Sequence, residues 1–464
     1  MNNYSNTIAA ISTPPGKGGV AIIRISGADA LNIASEVFYP ASKKSFKDVT
    51  PRIQIRGDIY YGAEMIDDGM AAYFKAPASY TGEDTVEIYC HGGILVTHTV
   101  LEALFAAGAM PAEAGEFTRR AFINGKLTLT EAEAIGFLLE AESREQIKIF
   151  SGKSRSQLAE RISEIRQSLT SVLSSIYARI DYPDEDLDDF TDEEAIKILS
   201  NARENISRLA STYKTGRAIS EGISTVICGK PNVGKSSLYN LLLGRDAAIV
   251  TNIEGTTRDV LSDRISLGRV LLDLSDTAGV RTETSDPIEK IGIDRSIEKI
   301  GCAELILAVF DLSREFDSAD AELLSQISKS SSQAKIAILN KCDLEEKFTR
   351  NKLDGIFDLT LEISADKDGE SAIEAISRTV DSMFTDEKIS VGSEAIITSA
   401  RQNAKLTRAY QTVTSAINAF ESGIFADAAS SDIERALGAI AELDGRAVSE
   451  EVVADIFSKF CVGK

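Results

Sequence analysis

The stretch Gly229-Lys-Pro-Asn-Val-Gly-Lys-Ser-Ser237 decides the fold of this chain. It follows the apolar, strand-like run Ile223–Cys228 and opens a helical pattern at residues 238–243. A strand, such a loop and a helix in that order bind phosphate, because backbone N–H groups and the helix N-terminus point at the anion. Lys235 is then placed to reach the β- and γ-phosphates, and Ser236 to contact Mg²⁺. The stretch predicts a nucleoside triphosphate site in an α/β domain.

Three further motifs follow strand-like apolar runs. The runs are 270–274, 336–339 and Leu359–Ile363, and the motifs after them are Asp276-Thr-Ala-Gly279, Asn340-Lys-Cys-Asp343 and Ser364-Ala365. The Asp343 carboxylate can accept hydrogen bonds from the paired N–H donors of guanine, which adenine does not offer. Asp276 can hold the Mg²⁺ shell, and Gly279 can meet the γ-phosphate. Because the carboxyl ends of parallel strands meet at one sheet edge, these motifs predict a GTPase domain.

The composition restricts the class of protein and its partners. A chain of 464 residues predicts about three domains. Its net charge of −21, from 50 basic and 71 acidic residues, means that contact with RNA must be local or come through a basic partner. No apolar run approaches the roughly 18 residues of a membrane helix, and the N-terminus lacks a secretory pattern. Five scattered cysteines and two histidines predict a reduced, cytoplasmic protein without disulfides or a zinc site.

Hydrophobic periodicity divides the chain into segments. The first mixes strand-like runs with one helix and predicts an α/β domain; the runs are 20–25, 53–60 and 86–90, and the helix is 95–107. The predicted domain boundaries are 1–125, 126–221, 222–383 and 384–464.

Two stretches of helical spacing flank the GTPase domain. Apolar residues three and four apart between 158 and 180 predict a long helix that Pro183 ends, and another helix is predicted over 193–219. A similar stripe begins at Leu406. Because each stripe needs an apolar partner, we expect the two helical segments to pack together, with the GTPase domain inserted between them. The acidic segment 181–194 is either a solvated loop between helices or a docking site for a partner.

The position after the Asp276 motif separates this chain from the Ras-like GTPases. Those enzymes orient the attacking water with a Gln there, and this chain has Val280. Asn232, in the phosphate loop, could instead help to hold a monovalent cation beside the phosphates, with oxygens from residues 251–259 completing its shell. Such a cation would neutralise charge that builds up between the phosphates. The alternative is that the Asn232 side chain only stabilises the loop.

Several motifs together resemble the tRNA-modifying GTPases called MnmE or TrmE. They are GKPNVGKSS, NIEGTTRD, DTAGVR, the terminal FCVGK and, in the N-terminal part, TPPGKGGVAIIRISG, SYTGED, CHGG and GEFTRRAFINGKLTLTEAEA. The resemblance therefore runs from end to end. One departure is Val462, where the family usually has Ile, and the smaller side chain keeps the shape of the tail.

The resemblance implies an architecture and a reaction. It implies an N-terminal α/β folate-binding domain that dimerises, a helical bundle, and a P-loop GTPase domain inserted in the bundle. Family members work with the flavoprotein MnmG (GidA) to install a carboxymethylaminomethyl or aminomethyl group at carbon 5 of the tRNA wobble uridine. Their GTPase domains dimerise in a potassium-dependent way, which activates hydrolysis. The implied cofactors are GTP, Mg²⁺, K⁺ and 5-formyltetrahydrofolate or a related tetrahydrofolate.

The resemblance also assigns site residues. The implied K⁺ ligands are Asn232, Thr251, Ile253 and Thr256, and the Mg²⁺ ligands are Ser236 and Thr257. Glu289 matches the water-orienting glutamate, across an apparent one-residue insertion. The folate site would use Arg24, Glu87, Lys126 and Lys464, with Cys461 near the folate. The implied GTP-binding set is Asn232, Val233, Gly234, Lys235, Ser236, Ser237, Thr251, Asn252, Ile253, Glu254, Gly255, Thr256, Thr257, Asp276, Thr277, Ala278, Gly279, Asn340, Lys341, Asp343, Ser364 and Ala365.

Two other functions compete with this one. A ribosome-assembly GTPase would be expected to carry a basic RNA-binding module, which the sequence does not contain. A GTP-regulated, folate-dependent one-carbon transferase would rest on the N-terminal domain and could describe part of the same mechanism. The length of the resemblance favours tRNA modification over both.

Overall fold

The computed structural model describes residues 6–43, 45–181, 191–246, 262–275, 299–423 and 426–464. These form two compact units: the first joins the chain up to Gly136 with Gly438–Lys464, and the second is Phe137–Leu437. The finer domain boundaries inferred from the sequence stay a prediction. Among the described residues, no helix is both long and apolar enough to cross a membrane.

The first unit is built on a seven-stranded sheet with the strand order β3-β4-β5-β6-β2-β1-β7. Its strands are β1 Ile8–Ile11, β2 Gly18–Ser26, β3 Phe38–Pro40, β4 Gln54–Tyr61, β5 Glu64–Phe74, β6 Thr85–Gly92 and β7 Met110–Pro111. The helices that follow along the chain are α1 Ala30–Val37, α2 Ile94–Ala106, α3 Glu116–Ile123 and α4 Leu129–Leu139. Neighbouring strands are antiparallel except β1 and β7.

Alternate side chains of β2 face the apolar core and the opposite face of the sheet. Successive side chains of a strand point to opposite faces of the sheet. Ile23 and Ile25 are fully buried in the core that includes residues of α1 and α2. Arg24 therefore lies on the other face, where its guanidinium stacks on the Phe117 ring of α3.

The second unit contains helices and a six-stranded sheet with the order β13-β12-β11-β8-β10-β9. Its helices are α5 Arg144–Phe150, α6 Gly152–Asp181, α7 Asp192–Ser211, α8 Tyr213–Ser220, α9 Lys235–Asp246, α10 Ser318–Lys329, α11 Gly369–Phe384 and α12 Ala400–Glu421. Its strands are β8 Ile223–Cys228, β9 Ser262–Leu267, β10 Val270–Ser275, β11 Leu305–Asp311, β12 Ala334–Asn340 and β13 Leu359–Ile363. Every strand pair is parallel except β9–β10. Two more helices follow, α13 Ala426–Asp444 and α14 Glu450–Ser458.

The six-stranded sheet lies in the chain between helices that pack on each other. Helix α7 contacts both α6 and α12. The apolar stripe of α12 is buried, with Leu406 and Val413 fully inaccessible. The fold is thus α/β plus all-α, with a P-loop α/β domain inserted in a helical bundle, as the sequence predicts.

The single helix predicted over 193–219 is wrong, because the chain forms α7 and α8 with a break at Thr212. The Thr212 hydroxyl donates to the carbonyl of Leu209 at 2.7 Å and accepts from the backbone N–H of Ile397 at 3.0 Å. A threonine hydroxyl that bonds the backbone in this way competes with helical hydrogen bonds. The partner lies 185 residues away in the sequence, so periodicity could not reveal the break.

The C-terminal tail folds back onto the N-terminal part of the first unit, as the folate site implied by the family resemblance requires. Val462 forms an antiparallel bridge with Ala114. The backbone N–H of Phe117 donates to the carbonyl of Lys464 at 3.1 Å. Phe457 of α14 is buried in a cluster with Leu129.

Gly216 offers a test of the packing of α8. A Cβ at Gly216 would lie 2.0 Å from the carbonyl oxygen of Ile397, whereas one at Gly244 of α9 would meet nothing within 4 Å. Gly216→Ala should therefore destabilise α8 by about 1–3 kcal/mol, and Gly244→Ala should not destabilise α9. Hydrogen–deuterium exchange of the α8 and α9 amides measures both effects. Unchanged protection of α8 in Gly216→Ala would contradict this packing.

Candidate functional site

The phosphate loop between β8 and α9 depends on two close backbone approaches. A Cβ at Gly229 would lie 2.5 Å from the carbonyl of Val309, and one at Gly234 would lie 2.0 Å from the side-chain nitrogen of Asn340. Gly234 also has a φ of 103°, which residues other than glycine rarely adopt. Only glycine fits these two positions, and the loop can therefore lie directly against Val309 and Asn340.

The side chain of Lys235 bonds back to the backbone of this loop. Its ammonium group donates to the carbonyls of Gly229 at 2.8 Å and Lys230 at 2.6 Å. Burial lowers the pKa of Lys235, because a desolvated ammonium is disfavoured. An incoming phosphate would supply the opposite charge that this buried group requires.

Asn232 occupies a left-handed backbone conformation, with a φ of 65°. Asn is one of the few residues that tolerate this region. The carbonyl of Asn232 accepts a hydrogen bond from Lys341 at 3.2 Å, and Lys341 also pairs with Asp311 at 2.6 Å. The backbone of Asn232 is thus held by Lys341 of the Asn340–Asp343 motif.

Asn340 joins three of the predicted motifs. Its amide nitrogen donates to the carbonyl of Val233 at 2.9 Å, and its amide oxygen accepts from the backbone N–H of Ala365 at 3.0 Å. The structure therefore brings the phosphate loop, the Asn340–Asp343 motif and the Ser364-Ala365 pair to one edge of the sheet.

Asp343 is oriented at the same edge. Its carboxylate accepts from the Ser364 hydroxyl at 2.8 Å and pairs with Lys367 at 2.7 Å. The hydrogen bonds from Lys367 and Ser364 lower the pKa of Asp343, so the group is ionised at neutral pH. A fixed carboxylate of this kind can accept the two N–H donors of a guanine edge.

Several predicted site residues lie outside the described residues. These are Thr251, Asn252, Ile253, Glu254, Gly255, Thr256, Thr257, Asp276, Thr277, Ala278, Gly279, Val280 and Glu289. Most of the acidic segment 181–194 lies outside them as well.

A second group of predicted site residues meets in the first unit. Arg24 pairs with Glu87 at 2.9 Å, and its guanidinium lies 5.4 Å from the centre of the Tyr80 ring and 5.6 Å from that of Phe117. The Tyr89 hydroxyl donates to the other oxygen of Glu87 at 2.7 Å. Burial, together with this bond, raises the pKa of Tyr89 to about 12, so Tyr89 remains a donor.

Lys464 and Lys126 each hydrogen-bond to a segment that carries an aromatic residue of this group. Phe117, which stacks on Arg24, donates its backbone N–H to the carbonyl of Lys464. Lys126 donates to the carbonyl of Pro77 at 3.1 Å, in the loop that leads to Tyr80. Cys461 is exposed, and its carbonyl accepts from Gly115 N–H at 3.3 Å. The structure therefore links Arg24, Glu87 and the C-terminal residues through Phe117.

The residues that support this group were missed by sequence reasoning. Arg120 is buried, and it pairs with Glu83 at 3.1 Å and Glu116 at 2.8 Å. Glu83 also accepts from the Ser26 hydroxyl at 2.8 Å. A buried cation is tolerated only with such partners. The available signal was that SYTGED and GEFTRR carry opposite charges, but nothing in the sequence pairs them.

The orientation of Asp343 generates a test of base recognition. Asp343→Asn replaces one acceptor with an N–H donor, which no longer matches the guanine amino group but does match the C2 carbonyl of xanthine. We expect GTP affinity to fall roughly ten- to a hundredfold and affinity for xanthosine triphosphate to rise. Titration calorimetry with both nucleotides measures this. An unchanged preference for GTP would mean that Asp343 does not contact the base.

Comparison with known proteins identifies the family of this chain. The family model described as GTP-binding protein TrmE N-terminus matches residues 7–126, and the MnmE helical domain model matches residues 129–461. A Clostridioides difficile (strain 630) protein named tRNA modification GTPase MnmE is 37% identical over 459 residues, which cover 99% of each chain. The protein of that name from Thermotoga maritima is 39% identical over 465 residues, covering 99% of this chain and 100% of the other. A solved structure of Aquifex aeolicus Era is more distant, at 21% identity and a TM-score of 0.26 over 41% of this chain and 66% of its own. Since both family models match and the similarity extends over nearly the whole chain, this protein belongs to the MnmE family of tRNA modification GTPases.

Proposed function

We propose that this GTPase, together with the flavoprotein MnmG (GidA), installs a carboxymethylaminomethyl or aminomethyl group at carbon 5 of the tRNA wobble uridine. The one-carbon unit would come from a tetrahydrofolate bound to the first unit. The observation that carries this proposal is the meeting of Arg24, Glu87 and the C-terminal residues 461–464 around Phe117.

The chemistry of these side chains suits a folate. A pterin is a flat ring with an edge of N–H donors and acceptors, and it is attached to a glutamate tail that carries negative charge. Glu87 can accept from the pterin edge, and Tyr80 and Phe117 offer aromatic surface. Lys126 and Lys464 are cations that can hold the carboxylates of the tail. A bound tetrahydrofolate would supply the carbon, and the exposed thiol of Cys461 would lie on the segment next to it.

For the nucleotide site we propose potassium-activated hydrolysis of GTP. Asn232 and Ser236 of the phosphate loop fit, respectively, a monovalent cation and Mg²⁺, since amide and hydroxyl oxygens are suitable ligands for hard cations. A bound K⁺ would supply positive charge beside the phosphates. Thr251, Ile253, Thr256 and Thr257 remain the other proposed ligands, and Glu289 remains the proposed residue for orienting water.

We further propose that the protein is a homodimer through the first unit. Its surface carries exposed apolar side chains at Val20, Ile94 and Val462, which are 60%, 53% and 59% exposed. They line one groove of about 610 Å³. Exposed apolar surface of this kind supports an interface with a second copy.

The partners follow from the charge. Because the chain carries a net charge of −21, we propose that tRNA is bound mainly through MnmG.

The five cysteines are free, which supports the cytoplasm as the proposed compartment.

The cation hypothesis predicts faster GTP hydrolysis in K⁺ than in Na⁺. Asn232→Ala should erase this difference while nucleotide binding survives, because the backbone N–H groups of the loop remain. Phosphate release in the two salts measures the effect. Asn232→Gly is the control, since glycine adopts the φ of 65° at this position without strain and removes only the amide. If Asn232→Gly kept the full preference for K⁺, the side chain would be only a loop stabiliser.

The proposed role of the thiol predicts a separation of two activities. Cys461→Ser should abolish wobble-uridine modification in cells but leave GTP hydrolysis intact, because Cys461 belongs to the first unit and the phosphate loop to the second. Mass spectrometry of tRNA nucleosides and a phosphate-release assay measure the two activities. Cys302→Ser is the matched control, since Cys302 is also exposed and should leave modification unchanged. Normal wobble-uridine modification in Cys461→Ser would show that this cysteine has only a structural role.

A further inference from the structure

Lys230, the second residue of the phosphate loop, points away from the anion position and toward α10. Its ammonium group pairs with Asp317 at 2.8 Å and with Asp320 at 2.6 Å. The side chain of Lys230 is 14% exposed and that of Asp320 only 3%. Because a buried carboxylate without a partner is strongly unfavourable, Asp320 needs this cation.

Both acids also form the N-terminus of α10. Asp317 is the N-cap residue and accepts from the backbone N–H groups of Ala319 at 2.9 Å and Asp320 at 3.1 Å. Asp320 in turn accepts from the backbone N–H of Asp317 at 3.1 Å. This reciprocal arrangement is a capping box and fixes both carboxylates relative to the helix. The bond from Lys230 therefore ties the phosphate loop to a rigid helix end.

The helix is itself anchored in the core. Leu324 and Ile327 of α10 are buried in a cluster with Phe310 of β11 and Val226 of β8. Since β8 leads directly into the phosphate loop, the helix and the loop share one apolar support. Movement of α10 away from the loop would disrupt this packing, so the acids are a fixed reference for Lys230.

The ion pair is charged at neutral pH. Burial lowers the pKa of Lys230, but the hydrogen bonds with Asp317 and Asp320 outweigh burial, and the net pKa lies above its ordinary value. The hydrogen bond from Lys230 lowers the pKa of Asp317.

The backbone of Lys230 holds the ammonium group of Lys235. Its carbonyl accepts the 2.6 Å hydrogen bond from Lys235, which holds that ammonium group in the loop. Two residues further on, Asn232 takes its left-handed conformation. We propose that Lys230 is a positioning residue, whose ion pairs with Asp317 and Asp320 hold the phosphate loop in the shape that binds GTP.

This role predicts a specific kinetic change. Without the ion pairs, the loop would adopt the binding shape for only a fraction of the time, and apparent affinity falls by that fraction. Saturating GTP would restore the shape, so KM should rise while kcat changes little. For Lys230→Met we expect KM for GTP to increase roughly tenfold. Steady-state phosphate release in K⁺ buffer and the dissociation rate of a fluorescent GDP analogue measure the change.

Three further variants separate positioning from general damage. Lys230→Arg keeps the cation and should restore KM to within about threefold of the wild type. Lys329→Met removes an exposed lysine from the last turn of the same helix and should have no effect. The double variant Lys230→Met/Asp320→Asn removes the buried charge together with the ion pair, and its KM should stay high. All variants are compared at a temperature at which circular dichroism shows them folded.

Two results would overturn the proposal. Wild-type KM in folded Lys230→Met would show that the ion pair does not shape the loop. Restoration of wild-type KM in the double variant would show that the defect of the single variant came from an uncompensated Asp320.

Discussion

The edge of the sheet that carries the nucleotide-binding motifs depends on two hydrogen bonds made by the side chain of Asn340. One amide group bonds the phosphate loop at Val233 and the Ser364-Ala365 pair at Ala365. It lies so close to Gly234 that a Cβ there would reach within 2.0 Å of its nitrogen. Because an amide has both a donor and an acceptor, one side chain can set the distance between two loops. No shorter or apolar side chain can make both bonds.

The motifs of the second unit could be read from the sequence because local rules position them. Strands β8 and β13 begin and end at the residues that the apolar runs predict. The loops after these strands lie together at one edge of the sheet, because the carboxyl ends of parallel strands share that edge. The break at Thr212 could not be read, since its cause is a bond to Ile397 far along the chain. Local patterns therefore predicted the strands that carry the motifs, and a long-range bond decided where one helix stops.

The first unit was less accessible to such reasoning. Strand β5 was not predicted, because Asp67 and Asp68 interrupt the apolar alternation of a strand. Arg24 and Glu87 are ordinary charged strand residues in the sequence, and their pairing is a consequence of the antiparallel register of β2 and β6, in which they lie opposite each other. The group around Phe117 needs the last residues of the chain, which bond to α3 from far away in sequence. Only the resemblance to a family could assign these residues to one site.

The two candidate sites share a physical device. In each, a cation lies between two carboxylates, at least one of which belongs to the start of a helix: Arg120 with Glu83 and Glu116, and Lys230 with Asp317 and Asp320. Acids are favourable at helix N-termini because of the helix dipole, so the helix holds them in place at little cost. The cations differ for a geometric reason. The planar guanidinium of Arg120 bonds a backbone carbonyl at Asn6 as well as both acids, whereas the compact ammonium of Lys230 serves as a point charge between two oxygens. In both groups, paired charges fixed at the start of a helix therefore add to the hold that apolar packing gives.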